Sequence, residues 1–509
     1  MSAEIELKLA ARPADLPALK RALAAITPGA VSSEERLIST YYDTPDLALR
    51  RQGLTLRVRE QGGRFIQTVK AEDAAGAGIM SRGEWEDALA ENQPDPNAAQ
   101  SGRHLPRSTV GDLRPLFVTD VTRTAIDIEP VARTRVEAAI DEGEIRPANG
   151  AASEPISEIE LELRVGEPAA LYDLALQLSG AAPVRPETRP KAERGYRLAA
   201  GESATPAVFH AEPVGLDPGM AAAAALQAIG RNCLVQLMRN EPAVLAAEPE
   251  GVHQMRVALR RFRSAVSSLK NILAPDDRCW LQEELGWLAR AFGAARNLDV
   301  FATELLPSAR AGLADRPGWE ELGTALDRLR TCAYDRVREV ILSDRYTTAM
   351  LRLLRWLEAG GRTSRDASIP AAPPVAELAP HILDRRLRKV RRRSKGFSGL
   401  SQPQRHKLRI ATKKLRYTVE VFGNLYDHQA LSPFARTLRR LQDDLGYAND
   451  VRVAHEFVPE LFAHVKPGSP AIRAWIDVLE WHDQILAGRE RKLRKHLRRL
   501  NDSSPFWQV

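Results

Sequence analysis

Glu4-Ile5-Glu6-Leu7-Lys8-Leu9 is the stretch that decides the fold. At the two-residue period of a strand, Glu4, Glu6 and Lys8 share one face and Ile5, Leu7 and Leu9 the other. One such strand says little, since a charged face is usually a wet one. The pattern recurs, however. Thr55, Arg57 and Arg59 alternate with Leu54, Leu56 and Val58, and Arg82, Glu84 and Glu86 flank Trp85. Arg133, Arg135, Glu137 and Asp141 alternate with smaller or apolar residues, and Glu158, Glu160, Glu162 and Arg164 with Ile159, Leu161, Leu163 and Val165. A solvated outer face rarely needs both signs of charge packed so densely. Strands of this kind can share one compartment if the sheet closes into a barrel with a polar lumen.

Eight strands are expected, at 4–9, 36–42, 54–60, 64–70, 80–87, 116–128, 134–141 and 156–165, with Gln61-Gly62-Gly63 as a hairpin turn. Residues 15–26 and 168–178 read as helices, the second able to cover the apolar outside of the barrel. The Pro-, Gly- and Asn-rich stretch 92–115 reads as a loop or lid, too polar to add to the core.

A chain of 509 residues exceeds a single core, so two to four domains are expected. Its net charge of +7 hides an asymmetry: residues 1–200 hold 25 Lys and Arg against 31 Asp and Glu, the remainder 48 against 35. An acidic front suits metal-binding carboxylates, and a basic back suits a polyanion. Three widely spaced cysteines, Cys233, Cys279 and Cys332, fit a reduced compartment rather than a disulfide framework. No basic, apolar leader precedes the first strand and no apolar run approaches ~20 residues, so no membrane contact is expected. The expected location is cytoplasmic.

Residues 201–217 read as a linker, after which strand signals vanish and the chain turns helical. Residues 360–374 divide this half into two bundles, about 218–360 and 375–500, and the two are copies. A shift of 153 carries His253, Arg256, Arg260, Arg261 and Arg263 onto His406, Arg409, Lys413, Lys414 and Arg416, and Gly293 onto Gly446. In each copy the spacing 3, 4, 3 (His253, Arg256, Arg260, Arg263; His406, Arg409, Lys413, Arg416) sets a basic stripe within about 80° of a helix. A third stripe runs through His381, Arg385, Arg388, Arg392 and Lys395. Stacked like charges repel by a few tenths of a kcal/mol per pair, which an anion would offset. Residues 220–238, opening the first copy, are far less basic than 380–395, so the basic groove is expected to be lopsided. Aromatic residues among the stripes are few (Phe262, Tyr417), which favours a bare phosphate chain over nucleic acid.

In the front half, the carboxylates suit hard divalent cations, and the Arg and Lys residues suit phosphate oxygens. Both together select a metal-bound polyanion, a triphosphate. Glu4-Ile5-Glu6-Leu7-Lys8, Tyr41-Tyr42-Asp43-Thr44-Pro45, Leu56-Arg57-Val58-Arg59, Thr68-Val69-Lys70, Arg82-Gly83-Glu84-Trp85-Glu86 and Ser157-Glu158-Ile159-Glu160-Leu161-Glu162 resemble the CYTH domain, the family of triphosphate tunnel metalloenzymes. The resemblance covers residues 1–200. It implies an eight-stranded antiparallel tunnel holding two Mg²⁺ or Mn²⁺ ions on Glu4, Glu6, Asp141, Glu158, Glu160 and Glu162. It likewise implies that Lys8, Arg57, Arg59, Lys70, Arg123 and Lys191 grip the triphosphate, while Arg82, Glu84, Glu86, Arg133 and Arg135 orient substrate and cations.

The helical half, 218–500, resembles the CHAD domain through His253-Gln254-Met255-Arg256, His406-Lys407-Leu408-Arg409, Arg296-Asn297-Leu298-Asp299-Val300 and Asn449-Asp450-Val451. That resemblance implies inorganic polyphosphate bound in a basic groove between two four-helix bundles. The expected protein is therefore multidomain α+β, a β tunnel followed by an all-α pair of bundles. Its expected activity is hydrolysis of inorganic triphosphate to pyrophosphate and phosphate. Thiamine triphosphatase or adenylyl cyclase activity, or a non-enzymatic polyphosphate scaffold, are the alternatives.

Overall fold

A computed structural model describes residues 5–71, 79–80, 83–150, 153–201, 206–313, 317–360, 373–457, 459, 465–466 and 468–508. Glu4 and Arg82 lie outside the described residues. The chain forms two compact units, Met1–Pro206 with Leu342–Ala359, and Ala207–Ile341 with Gly360–Val509.

The first unit holds an antiparallel sheet of β1 (Glu6–Ala11), β2 (Ser32–Asp43), β3 (Leu54–Gln61), β4 (Arg64–Ala71), β5 (Ile79–Met80), β6 (Gly83–Leu89), β7 (Arg114–Val131), β8 (Thr134–Pro147), β9 (Glu154–Val165) and β10 (Val184–Pro186). Their order is β10-β1-β9-β8-β7-β2-β3-β4-β6, with β5 also on β1. Because β5 pairs with β1 and β6 with β4, the two ends of the order meet in one stretch of chain and the sheet curls into a ring. β5 and β6 are two pieces of the single strand expected at 80–87, and β10 is an addition that pairs with the second half of β1.

The alternation in β1 has a physical result on both faces. Leu7 and Leu9 are fully buried on the outside, near helices Leu16–Ile26 and Ala169–Ser179, which bury Leu16, Leu19, Leu23, Leu171, Leu174 and Leu178. Each such side chain contributes about 1.5–3 kcal/mol. The charged face is also withdrawn from water: Glu6 and Lys8 are 8% exposed, Asp141 and Glu158 only 1%. An open sheet with a wet charged face cannot produce those values.

Helix Lys191–Ala199 crosses the ring beside β7 and β8. Its approach requires Gly195, since a Cβ there would stand 2.1 Å from the Phe117 ring. Tyr196 donates to Asp43 Oδ2 at 3.2 Å, and the same carboxylate accepts the backbone N–H groups of Thr44, Leu49 and Arg50. The Tyr-Asp-Thr turn thus pins the helix that begins with Lys191.

The stretch 92–115 contributes more to packing than its composition suggests. Gln67 donates to Asp95 O and Ser101 Oγ, Asp87 accepts from Ser101, and Leu105 joins the core of Leu49, Leu56, Val58 and Val69. It covers the outer face of β4 and β6. Helix Asp344–Glu358 also belongs to this unit, packing on Ala169–Ser179 with an Arg355–Asp173 ion pair.

In the second unit the long helices obey the 153-residue shift: Ala222–Arg239 with Val375–Ser394, and Pro249–Ser268 with Gln402–Phe422. Pro275–Ala291 and Gly293–Val300 correspond to one continuous helix, His428–Glu456. Trp319–Ile341 and Pro470–Asp502 complete the two sets. Ala222 N–H bonds Pro373 O at 3.1 Å and Val375 N–H bonds Met220 O at 2.8 Å, a reciprocal pairing of equivalent residues across a pseudo-two-fold. Among the described residues, no helix is long and apolar enough to cross a membrane.

Candidate active site and basic groove

The strand register sorts the charges inside the ring. Lys8 faces Glu160, Glu6 faces Glu162, and Asp141 faces Glu158, so β1, β9 and β8 form an acidic wall. Arg57 and Arg59 on β3 and Lys70 on β4 form a basic one, with Arg123 on β7 between the two. All of these except Glu158 line a cavity of about 960 Å³.

On the acidic wall, oxygens of Asp141, Glu158 and Glu160 lie within 4.8 Å of one another. Lys191 Nζ sits among them, 2.7 Å from Asp141 Oδ2 and 3.0 Å from Glu160 Oε1, and also pairs with Glu158. Arg123 grips Asp141 with two bonds of 2.7 and 2.6 Å and reaches Glu160. Lys8 pairs with Glu160 and, at 3.4 Å, with Glu6. Burial works against each of these charges, yet the mutual attraction outweighs it. Asp141 and Glu160 are held below the usual carboxylate range by Lys191, with Arg123 and, at Glu160, Lys8. Lys191 and Lys8 are pushed up by the carboxylates. An all-carboxylate oxygen set suits Mg²⁺ or Mn²⁺.

The basic wall is under-compensated. Lys70 pairs with Glu84 at 2.7 Å, Arg57 reaches Glu84 at 3.5 Å, and Glu86 accepts from Thr68. Arg59 has no ion pair among the described residues, and the Nε atoms of Arg57 and Arg59 are buried without partners. Arg57, burial and Arg123 together hold Arg59 down at about 10. A buried donor left unpaired costs about 1–3 kcal/mol, a deficit that an anion in the cavity would offset.

The second unit shows the same deficit. Arg256 and Arg260 on Pro249–Ser268 act on Lys413 of Gln402–Phe422, and Arg260 also on Arg409, while His253 stands beside Arg256, Arg260 and Arg296. Burial, then Arg409 and Arg260, push Lys413 down to about 7, while burial, Arg260 and Arg296 push Arg256 down to about 10. His253 falls to about 4 through burial and Arg296, leaving it neutral at pH 7. The Nε atoms of Arg256, Arg260 and Arg409 are buried and unpartnered.

Residues 2–196 match the CYTH domain family and residues 228–459 the CHAD domain family. The chain carries a CYTH domain followed by a CHAD domain. The CYTH region is 35% identical to an inorganic triphosphatase of Haemophilus influenzae over 204 residues, 39% of this chain and 55% of that protein. The chain thus spans about half the length of that relative. An uncharacterized Mycobacterium tuberculosis protein is 28% identical over 79% of each chain. The crystal structure of the CHAD domain from the plant Ricinus communis aligns with TM-score 0.50 at 29% identity, covering 57% of this chain and 96% of that one.

Glu162 lines the cavity, paired with Arg164 and apart from the three-carboxylate cluster. Other expected site residues lie elsewhere. Arg133 is in the β7–β8 turn at φ 65° and exposed, and Arg135 is exposed beside a register shift that ends the regular alternation. Neither lines the cavity. In the CHAD half, Arg416 is paired with Glu420 at 2.7 Å and Arg263 is exposed. His381, Arg385, Arg388, Arg392 and Lys395 face solvent, and the adjacent stripe Arg386, Lys389 and Arg393 is the one turned inward. Tyr41, 5% exposed and lining the cavity beside Arg57, was not singled out by charge alternation because it is uncharged.

Proposed function

We propose that the CYTH tunnel hydrolyses inorganic triphosphate to pyrophosphate and orthophosphate. The observation that carries this reading is the facing of a carboxylate wall by a cationic wall with unpaired guanidinium Nε atoms. Asp141, Glu158 and Glu160, with Glu6 nearby, would hold the divalent ion; when bound, it neutralises phosphate charge and acidifies an attacking water. Arg57, Arg59 and Lys70 bind and orient the phosphate chain, and their charge stabilises the transition state as negative charge develops. Water oxygen bonds to the terminal phosphorus as the bridging P–O bond breaks, and pyrophosphate leaves. The buried walls exclude bulk water and keep these interactions strong.

The lining favours an inorganic substrate over an organic triphosphate. Among the described lining residues the aromatic ring is that of Tyr41, which is already stacked on Phe117 at 4.5 Å. Orthophosphate release from inorganic triphosphate, thiamine triphosphate and ATP, each with Mg²⁺ and Mn²⁺, tests this. Faster turnover of either organic substrate would reassign the tunnel.

The CHAD half is proposed to bind inorganic polyphosphate at Arg256, Arg260, Arg409 and Lys413, in the cytoplasm or on polyphosphate granules. Tyr417, whose ring lies beside Arg260, is only 6% exposed, so the cluster supplies charge with little stacking surface, which favours phosphate over nucleic acid. Competition of long-chain polyphosphate against single-stranded RNA at matched salt decides between them.

A further inference from the structure

The duplication of the CHAD half supplies an internal comparison. Helices Val375–Ser394 and Gln402–Phe422 enclose a pocket of about 150 Å³ lined by Arg386, Lys389, Arg393, Lys407 and Lys414 over Ile410 and Ala411. Among the described residues, none that lines it is acidic. The 153-residue shift places Cys233, Gln236, Asn240, Gln254 and Arg261 at the same five positions of the first copy. There the groups satisfy one another. Gln236 donates to Gln254 Oε1 at 2.9 Å, Asn240 to Gln236 O at 2.7 Å, and Arg261 to Asn232 Oδ1 at 2.9 Å and Gln236 Oε1 at 3.3 Å. One cation among amides is what the fold needs at this place.

The second copy puts five cations there. Arg386 is 8% exposed; one of its terminal nitrogens reaches the hydroxyls of Ser267 and Ser268, but its Nε is buried without a partner. Lys389 and Lys414 make no ion pair among the described residues, and both are shifted down, by burial first and then by surrounding arginines. Like charges gathered at a buried donor destabilise the helix pair unless an anion joins them.

We propose that this pocket is a phosphoryl-binding site, separate from the central cluster and particular to the second copy. On Gln402–Phe422 its residues lie about a third of a turn away from Arg409 and Lys413, so the two sites use different faces of one helix. The volume suits one or two phosphoryl groups, either a small free phosphate or a segment of a longer chain. The inference rests on the polyphosphate reading of this unit only for the choice of probe.

The test is amine-modification footprinting of the full chain at matched ionic strength, read lysine by lysine by mass spectrometry. Pyrophosphate or long-chain polyphosphate is expected to slow modification of Lys389 and Lys414 at least about fivefold. Protection by pyrophosphate identifies a small free anion as sufficient; protection by the long chain alone identifies the polymer. Arg386→Gln and the milder Arg386→Lys are expected to weaken that protection while leaving Lys413, in the central cluster, protected. Protection of Lys413 without Lys389 and Lys414 would overturn this site and leave the polyphosphate reading standing. Protection of Lys389 and Lys414 without Lys413 would do the reverse, and protection of none would sink both.

Discussion

Lys191 Nζ lies 2.7 Å from Asp141 Oδ2, inside the carboxylate cluster suited to a divalent ion. Lys191 is the first residue of its helix, where the dipole disfavours a cation by about 0.3–1 kcal/mol. Asp141, Glu158 and Glu160 offset that cost, so the ammonium would compete with a divalent ion for the same oxygens. Lys191→Met is therefore expected to tighten Mn²⁺ binding about tenfold, or about 1.4 kcal/mol. Calorimetry without substrate reads this directly. The same variant should bind triphosphate more weakly, and unchanged or weaker Mn²⁺ binding would count against the exchange of one cation for another.

Arg59 stands beside Arg57 and Arg123 with no ion pair among the described residues, which under the proposed function reserves it for ligand. Arg59→Ala is expected to lower triphosphate turnover about 10²–10³-fold. Its melting temperature should hold or rise, because a repulsive charge leaves the tunnel. A fall in melting temperature with activity retained would reverse that assignment.

Lys413, held at about 7, faces Arg409 on its own helix, Arg256 and Arg260 across the pseudo-two-fold, and Asp450 on His428–Glu456. A polyanion favours its protonated form, so binding takes up a proton wherever the free ammonium has been lost. Polyphosphate affinity should fall as pH rises from 7 to 9. Calorimetry at pH 8 in buffers of different ionisation enthalpy should register the uptake, and Lys413→Met should reduce it.

Gly195→Ala forces a methyl into the Phe117 ring. Overpacking of this kind costs about 1–3 kcal/mol, which thermal unfolding would show as a lowered midpoint. Activity should fall as well, since the helix that begins with Lys191 must shift.

Much of the tunnel was legible because a strand's two-residue period assigns each side chain to a face. Glu6, Lys8, Arg57 and Glu160 follow that rule through regular ladders. Arg135 does not, because a register shift beside it breaks the period, and Arg133 belongs to a turn. The inward stripe of Val375–Ser394 was hidden by abundance: Arg385, Arg386, Arg388, Lys389, Arg391, Arg392 and Arg393 leave no polar–apolar contrast to mark a face. The packing of 92–115 depends on Leu105, one apolar residue in a polar stretch, and on side-chain bonds from Gln67 and Asp87 that no local pattern encodes.

Glu160 touches Lys8, Arg123 and Lys191 and belongs to the carboxylate cluster, so the whole tunnel chemistry turns on it. The decisive measurement is orthophosphate release from inorganic triphosphate, with Mg²⁺ or Mn²⁺, by the full chain and by Glu160→Gln. Metal-dependent release by the native chain and a loss of about 100-fold or more in the variant are predicted. No release by the native chain, or equal rates from both, would contradict the account.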